Sequence, residues 1–316
     1  MSRQVRIVLP QARCNLRCKY CINGGDIWDW NGYEPEKLLD KLAKINFTTI
    51  GIWGGEPLAN PWLEVVLKML REHYPDVEIY ILSNGTLLDE HFVQMFNEFD
   101  VSYSISYDGK MQYLRCKDFM QSPAYIKKLQ KLKHFAGFNC VVSRNNCDMV
   151  DAYNYICKVA KDIKGDWEVS CEMFELSMPE TIEYMPSVEQ YQTLFKSYKE
   201  IVRLAENGAP HLKNITRSRS SAKEIPNLWR CGAEARITLD CQGRSYFCQV
   251  MADKGDATFP DKVIPMMCAE CKHVAKCRGI CPNIPDYLRK KMCMIYHLYY
   301  DALESLGKEE VESAPF

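Results

Sequence analysis

From residue 5 to about residue 205 the chain alternates two spacings of apolar positions. Short runs with every second residue apolar, or apolar throughout, predict strands: "VRIVL" (5–9), "TTIGIW" (48–53), "EIYILS" (78–83), "VSYSIS" (101–106), "FNCVVS" (138–143) and "WEVSCEMF" (167–174). Between and after them, apolar residues recur three and four apart in "PEKLLDKLAKI", "PWLEVVLKMLREHY", "DEHFVQMFNEF", "PAYIKKLQKLKHF", "DAYNYICKVAKDI" and "SVEQYQTLFKSYKEIVRLAENG", which predicts amphipathic helices. Several open on Pro or Asp and the last closes on Asn207-Gly208, as helix ends do. Repeated strand–helix units imply a parallel sheet with right-handed crossovers, either an incomplete barrel or a doubly wound sheet. Either places functional groups at the C-terminal ends of the strands.

The fourth strand favours the barrel. In "VSYSISYD", Ser102, Ser104, Ser106 and Asp108 share one face, opposite Val101, Tyr103, Ile105 and Tyr107. A strand buried on both sides is apolar on both faces, so a polar inner face implies a lumen wide enough for a substrate. The sixth strand repeats this with Glu168, Ser170 and Glu172. A solvated edge strand is the plain alternative. Asp108 and Glu172 become candidate lumen groups.

Composition narrows the setting. The chain has 316 residues, a formal charge of −1 and 16 cysteines. Near-neutral charge argues against nucleic acid or an anionic membrane as partner. No apolar run reaches membrane-spanning length and "MSRQVRIVLPQ" contains no signal-peptide core, so a cytoplasmic setting is expected. In a reducing compartment clustered cysteines read as metal ligands, with a disulfide-rich exported protein as the alternative.

Two cysteine clusters stand out. The first is "CNLRCKYC", with Cys14, Cys18 and Cys21 and the aromatic Tyr20. A structural zinc site uses four ligands, whereas three thiolates around a four-iron cluster leave one iron open to a non-protein ligand, and the rest of the chain has to decide between these readings. After the second strand comes "WGGEP", where Gly54 and Gly55 permit close backbone approach and Glu56 offers a carboxylate to an ammonium group. Together these residues resemble the radical S-adenosylmethionine superfamily. The resemblance implies a 4Fe–4S cluster on Cys14, Cys18 and Cys21, whose fourth iron is chelated by S-adenosylmethionine, and Glu56 at the methionyl amine. Softer matches are "LSNGT", offering Asn84, and "SISYDG", offering Ser106. Arg115 would meet the cosubstrate carboxylate and Asn145 its ribose. Turn and cap chemistry is the plain alternative for each.

The second cluster comprises Cys231, Cys248, Cys268, Cys271, Cys277, Cys281 and Cys293, with Gly243 between the first two. It resembles the SPASM extension of the same superfamily. By that resemblance Cys268, Cys271, Cys277 and Cys293 hold a distal auxiliary cluster, and Cys231, Cys248 and Cys281 a nearer one. Cys241 is a candidate eighth ligand, on the chemistry of thiolates near iron; the alternative leaves an open iron for substrate. Cys116 and Cys147, in loops after strands, are candidate thiol hydrogen donors or plain core residues; Cys140, Cys157 and Cys171 read as core.

The expected organisation is a partial (β/α)6 TIM-type barrel over 1–206, a linker or substrate loop at 207–230, a Cys-rich SPASM domain over 231–295 binding two auxiliary iron–sulfur clusters, and a C-terminal helix and tail at 296–316. The resemblance implies three 4Fe–4S clusters, S-adenosylmethionine, a low-potential electron donor of flavodoxin or ferredoxin type, and a peptide substrate modified through a 5′-deoxyadenosyl radical by cross-link, thioether, oxidation or epimerisation. A radical dehydrogenase or rearrangement enzyme acting on a small metabolite, and a non-catalytic metal-binding module, are the alternatives. Sulfatase-maturating relatives follow the second nearer-cluster cysteine with an aspartate base, whereas Gln249 follows Cys248 here. Only 13 residues precede Cys14, so a separate peptide-recognition protein, or direct binding of a short substrate by the 207–230 loop, is expected. The basic residues Lys213, Arg217, Arg219, Lys223 and Arg230 there would meet an acidic leader of a precursor peptide or, as the plain alternative, belong to a solvated loop.

Overall fold

The structure, a computed structural model, describes residues 3–10, 14–21, 33–173, 183–213 and 236–246, with positions 272, 293 and 297. Six strand–helix units succeed one another: β1 (Arg3–Val8), α1 (Pro35–Leu42), β2 (Phe47–Trp53), α2 (Leu63–His73), β3 (Glu78–Ser83), α3 (Glu90–Glu98), β4 (Val101–Ser106), α4 (Pro123–Gln130), β5 (Phe135–Val142), α5 (Met149–Val159), β6 (Glu168–Met173) and α6 (Val188–Glu206). Two further strands, β7 (Arg236–Asp240) and β8 (Ser245–Tyr246), follow. The sheet order is β6-β5-β4-β3-β2-β1-β7-β8, parallel throughout except for the β7–β8 pair. This is an α/β fold with a mostly parallel sheet, of the partial-barrel kind expected.

The helices begin where the sequence supplies caps. Asp89 accepts the Phe92 N–H at 3.0 Å ahead of α3, and Asp148 accepts those of Val150 and Asp151 ahead of α5. Ser187 and Gln190 form a reciprocal capping box at α6. Each helix buries one stripe, such as Leu38 and Leu42 of α1, Val66 and Leu70 of α2, and Ala152 and Ile156 of α5. These meet the outer strand face, where Val5, Ile7, Ile50, Ile52, Ile79, Ile81, Tyr103, Ile105 and Phe138 are buried. Each such aliphatic side chain contributes roughly 1.5–3 kcal/mol.

The inner face divides in two. On the β1–β3 side the Arg6 guanidinium lies 4.5 Å over the Trp53 ring, which meets Tyr80 edge-on at 6.2 Å. Gly51 is required beneath them, because a Cβ there would lie 2.3 Å from the Tyr80 ring. On the β4–β6 side Ser106, Asn139 and Ser170 occupy one rung of the ladder. The side-chain oxygen of Asn139 and the indole nitrogen of Trp53 are buried without a hydrogen-bond partner in the protein.

Three expectations need correction. The strand at 138–143 starts earlier, at Phe135, because the chain leaves α4 at Gln130 and a register shift opposite Tyr103 and Ser104 is absorbed at Gly137. Gly137 has φ 124°, and a Cβ there would sit 1.9 Å from the Glu168 carbonyl oxygen. Residues 236–240, expected in the Cys-rich domain, instead pair in parallel with β1. The start of the 207–230 segment is not a free loop. His211 stacks on Trp167 at 3.6 Å, its carbonyl accepts the Val169 N–H, and Leu212 is fully buried. Lys213, expected to face a peptide, is paired with Asp166 at 2.6 Å. Arg217, Arg219, Lys223 and Arg230 lie outside the described residues.

Candidate active site

All parallel strands deliver their C-terminal ends to one rim, and the sequence motifs occupy the loops there. The loop after β1 carries Cys14, Cys18 and Cys21, each partly exposed and free of disulfides. It folds back through the Cys21 N–H donating to the Cys18 carbonyl at 3.1 Å. The loop after β2 passes through Gly54 (φ 110°) and Gly55 (φ 52°). That left-handed pair turns the chain so that Glu56 points inward and caps the short 3-10 turn Pro57–Ala59.

Glu56 is 1% exposed and fully engaged. Its Oε1 accepts the Leu58 N–H at 3.1 Å and the Ser83 hydroxyl at 2.7 Å, and its Oε2 accepts the Asn84 N–H at 2.6 Å. Burial raises its carboxyl above the usual range, and the three donors only partly offset this. Ser83 and Asn84 both come from "LSNGT" at the end of β3, so this loop holds Glu56 in place. The serine is a partner that the sequence reading passed over, although it sits next to the asparagine it chose.

The same β3 loop reaches the cysteines. Asn84 Nδ2 approaches Cys14 Sγ at 3.8 Å and donates to Asn15 Oδ1 at 2.8 Å, and Asn15 Nδ2 donates to the Thr86 hydroxyl at 2.8 Å. The Leu16 N–H lies 3.5 Å from Cys14 Sγ. Burial raises the Cys14 thiol, and pushes Cys18 up to about 12 against the pull of nearby Arg115. Among the described residues no set of three or more His, Cys, Asp or Glu closes on a single metal ion. A four-iron cluster takes its thiolates from separate positions around an iron–sulfur cube, so three free cysteines on one rim loop, with the Leu16 N–H and Asn84 Nδ2 aimed at Cys14 Sγ, fit that group.

Asp108 is on the inner face as expected but is not free for substrate. It is 1% exposed, and its carboxylate accepts the Arg115 Nε at 2.6 Å, the Val141 N–H at 2.8 Å and the Tyr20 hydroxyl. Arg115, expected to meet the cosubstrate carboxylate, thus already has a carboxylate partner on Nε. Burial alone would lower its guanidinium, and Asp108 more than reverses this. Nothing local in the sequence signals that Tyr20 and Asp108 meet.

Ser106 is partly exposed at the end of β4. Asn145, expected at the ribose, is exposed; the neighbouring Asn146 is the structured residue, accepting the Ser143 N–H at 2.7 Å and donating to the Val141 carbonyl at 2.9 Å. Cys116 accepts from Gln112 Nε2 at 3.3 Å, and Cys147 lies 3.7 Å from the Arg144 carbonyl; burial raises both thiols. Glu172 continues the inner-face register opposite Val141.

Of the second cysteine set, Cys241 and Cys293 are among the described residues, and Cys231, Cys248, Cys268, Cys271, Cys277 and Cys281 lie outside them. Cys241 follows β7, is fully buried, and points its thiol at the Val8 carbonyl 3.6 Å away. Burial, then Asp240, pushes this thiol well up. Asp240 itself accepts the Tyr246 hydroxyl at 2.7 Å, the Arg244 Nε at 2.5 Å and two backbone N–H groups, fixing the turn around Cys241. Cys293 is half-buried against the core. No helix among the described residues is long and apolar enough to cross a membrane.

Comparison with known proteins agrees with this geometry. An uncharacterized protein of Methanocaldococcus jannaschii is 25% identical over 199 residues, covering 58% of this chain and 66% of that protein. The GTP 3′,8-cyclase of Campylobacter curvus is 32% identical over 101 residues, 30% of each chain. The chain thus spans less than two thirds of either relative. Among solved structures, native anSMEcpe with bound AdoMet and Cp18Cys peptide superposes with a TM-score of 0.69 at 18% identity, covering 98% of this chain and 100% of that one. Streptococcus suis SuiB bound to precursor peptide SuiA gives a TM-score of 0.61 at 14% identity, covering 90% and 73%. These likenesses show the shared fold. A family model described as Radical SAM superfamily matches residues 8–110, from the end of β1 past the end of β4, the segment that carries the cysteine loop and the buried Glu56.

Proposed function

We propose that this chain is a Radical SAM enzyme that modifies a peptide. The observation that carries the radical chemistry is Glu56, a carboxylate fixed by Ser83 and Asn84 on the loop that also contacts Cys14. When bound, a four-iron cluster and S-adenosylmethionine would supply a 5′-deoxyadenosyl radical for hydrogen abstraction. The chain's own task is to position and shield. Cys14, Cys18 and Cys21 would hold three irons, and Glu56 would take the methionyl ammonium. Arg115 keeps its terminal nitrogens for a carboxylate while Nε holds Asp108. Ser106 would line the ribose side, with Asn145 at the rim.

The peptide reading is supported by likeness of fold, over 98% and 90% of this chain, to two solved structures with a peptide bound. The likeness to the GTP 3′,8-cyclases covers 30% of each chain for one relative, and 37% of this chain and 40% of that relative for another. The polar rung Ser106–Asn139–Ser170, with an unpaired buried acceptor on Asn139, suits an amide-bearing substrate. Cys231, Cys248, Cys281 and Cys241 would hold a nearer auxiliary cluster, and Cys268, Cys271, Cys277 and Cys293 a distal one. A low-potential flavodoxin- or ferredoxin-type donor would reduce the first cluster.

Anaerobic reconstitution tests this. Wild type is expected to carry about 12 irons, and the Cys14/Cys18/Cys21→Ala variant about 8, with loss of the resonance that S-adenosylmethionine perturbs. Peptides encoded beside the gene should then change mass with turnover, and GTP should not be consumed. GTP turnover would replace the peptide reading, and zinc in place of iron would overturn the radical one.

A further inference from the structure

The cysteine loop is pinned at two points. At the Cys14 end the pin is the Asn84–Asn15–Thr86 network. At the Cys18–Cys21 end it is Tyr20, which is 6% exposed, with Tyr184 against its ring at 5.7 Å and the Arg115 guanidinium 5.3 Å over it. Tyr20 and Arg115 converge on the same Asp108 oxygen, while the other oxygen is anchored to the Val141 N–H. Asp108 is steadied in turn by its own N–H donating to Gln112 Oε1 at 3.1 Å.

We propose that Asp108 is a positioning residue for the first cluster: it clamps Tyr20 and Arg115 together, fixes the Cys18–Cys21 segment against the ends of β4 and β5, and holds the Arg115 charge over the Tyr20 ring. This rests on the reading of Cys14, Cys18 and Cys21 as iron ligands. Stability alone does not account for the arrangement, since a buried ion pair gains little over apolar side chains of the same volume. What it does supply is direction: three donors meet one carboxylate from the cysteine loop, the β4 loop and β5. It also sets a charge pair beside the loop. Asp108 and Arg115 both contact Tyr20, the residue before Cys21, so removing either partner leaves an uncompensated charge next to the ligand loop.

The test uses the full chain with Tyr20→Phe, Asp108→Asn, Asp108→Glu and Arg115→Gln. Tyr20→Phe keeps the ring and deletes only the hydroxyl. In reconstituted protein it should lose iron from the first cluster to a chelator severalfold faster than wild type. The midpoint potential of the S-adenosylmethionine-sensitive resonance should move up in Asp108→Asn and down in Arg115→Gln, with partial restoration in Asp108→Glu. In the metal-free chain, alkylation of Cys18 and Cys21 should quicken severalfold in Tyr20→Phe while Cys14 is little changed. Unchanged iron retention, potentials and alkylation in folded variants would overturn the clamp. If Asp108→Asn does not fold, Tyr20→Phe decides alone. Wild type that takes up no iron would overturn the ligand reading, and the metal-free alkylation would still decide whether the clamp exists.

Discussion

The Asn84 backbone N–H donates to Glu56 Oε2 at 2.6 Å, so the end of β3 fixes the one carboxylate that the β2 loop sends into the rim. The bond comes from main chain and survives any side chain at position 84. Replacing Asn84 therefore tests its contacts with Cys14 and Asn15, while replacing Ser83 tests the support of Glu56.

Glu56 gives a pH signature. Its carboxyl is raised by burial, so between the ordinary glutamate pKa and its own the folded chain holds a proton that the unfolded chain has released. Stability then falls as pH rises through that window and levels off above the raised pKa. Urea unfolding of the ligand-free chain across this range should show the slope in wild type and not in Glu56→Gln. Glu56→Gln turns an NH2 donor toward donors that the carboxylate accepts, and should cost about 1–3 kcal/mol at neutral pH and bind S-adenosylmethionine at least tenfold more weakly. Parallel pH profiles would refute the assignment.

Arg71, at the end of α2, serves the opposite rim. Its guanidinium donates to the carbonyls of Pro75 at 2.6 Å, Val77 at 2.9 Å and Phe99 at 2.8 Å, tying the loops that lead into β3 and β4. Arg71→Lys keeps the charge and loses the fork, and should cost about 1–3 kcal/mol. Denaturant midpoints should drop while iron content stays that of wild type. An unchanged midpoint would show the fork to be dispensable.

Cys140 and Cys171 face each other on neighbouring strands, and their mutual hydrogen bond, then burial, drives the Cys140 thiol upward. Both belong to the helix-facing side, so Cys140→Val and Cys171→Val should each cost less than about 1.5 kcal/mol. Iron content should not change. Loss of iron in either variant would move these thiols from the core to the metal chemistry.

The strands and helices from β1 to α6 were legible because each carries its own period and its own caps: "VSYSIS" spans the residues of β4, and Ser187 opens α6. Residues that act through neighbours in sequence, such as Gly54, Gly55 and Glu56, were legible too. What the sequence hid is pairing across distance. Tyr20 meets Asp108 across a sequence separation of 88, and Cys241 meets Val8 across one of 233. Arg115 looked available because its basic side chain announces charge and gives no sign of the partner that has taken its Nε. β5 was placed late because Gly137, with no side chain to mark a face, interrupts the alternation where the register shifts.

The pairing of β7 with β1 has a consequence for how the protein is made. β1 leaves the ribosome ahead of the other described strands, and one flank of it meets β2 soon afterwards. The other flank stays open until Arg236–Asp240 arrive, more than two hundred residues later. Until then the nascent chain presents an unpaired strand with apolar Val5 and Ile7 beside it, a template for joining another chain. Closing that gap is the slowest kind of contact a sheet can make, because the longest loop must be gathered first. A chain cut after α6 would keep every strand–helix unit and still have an open seam along its first strand.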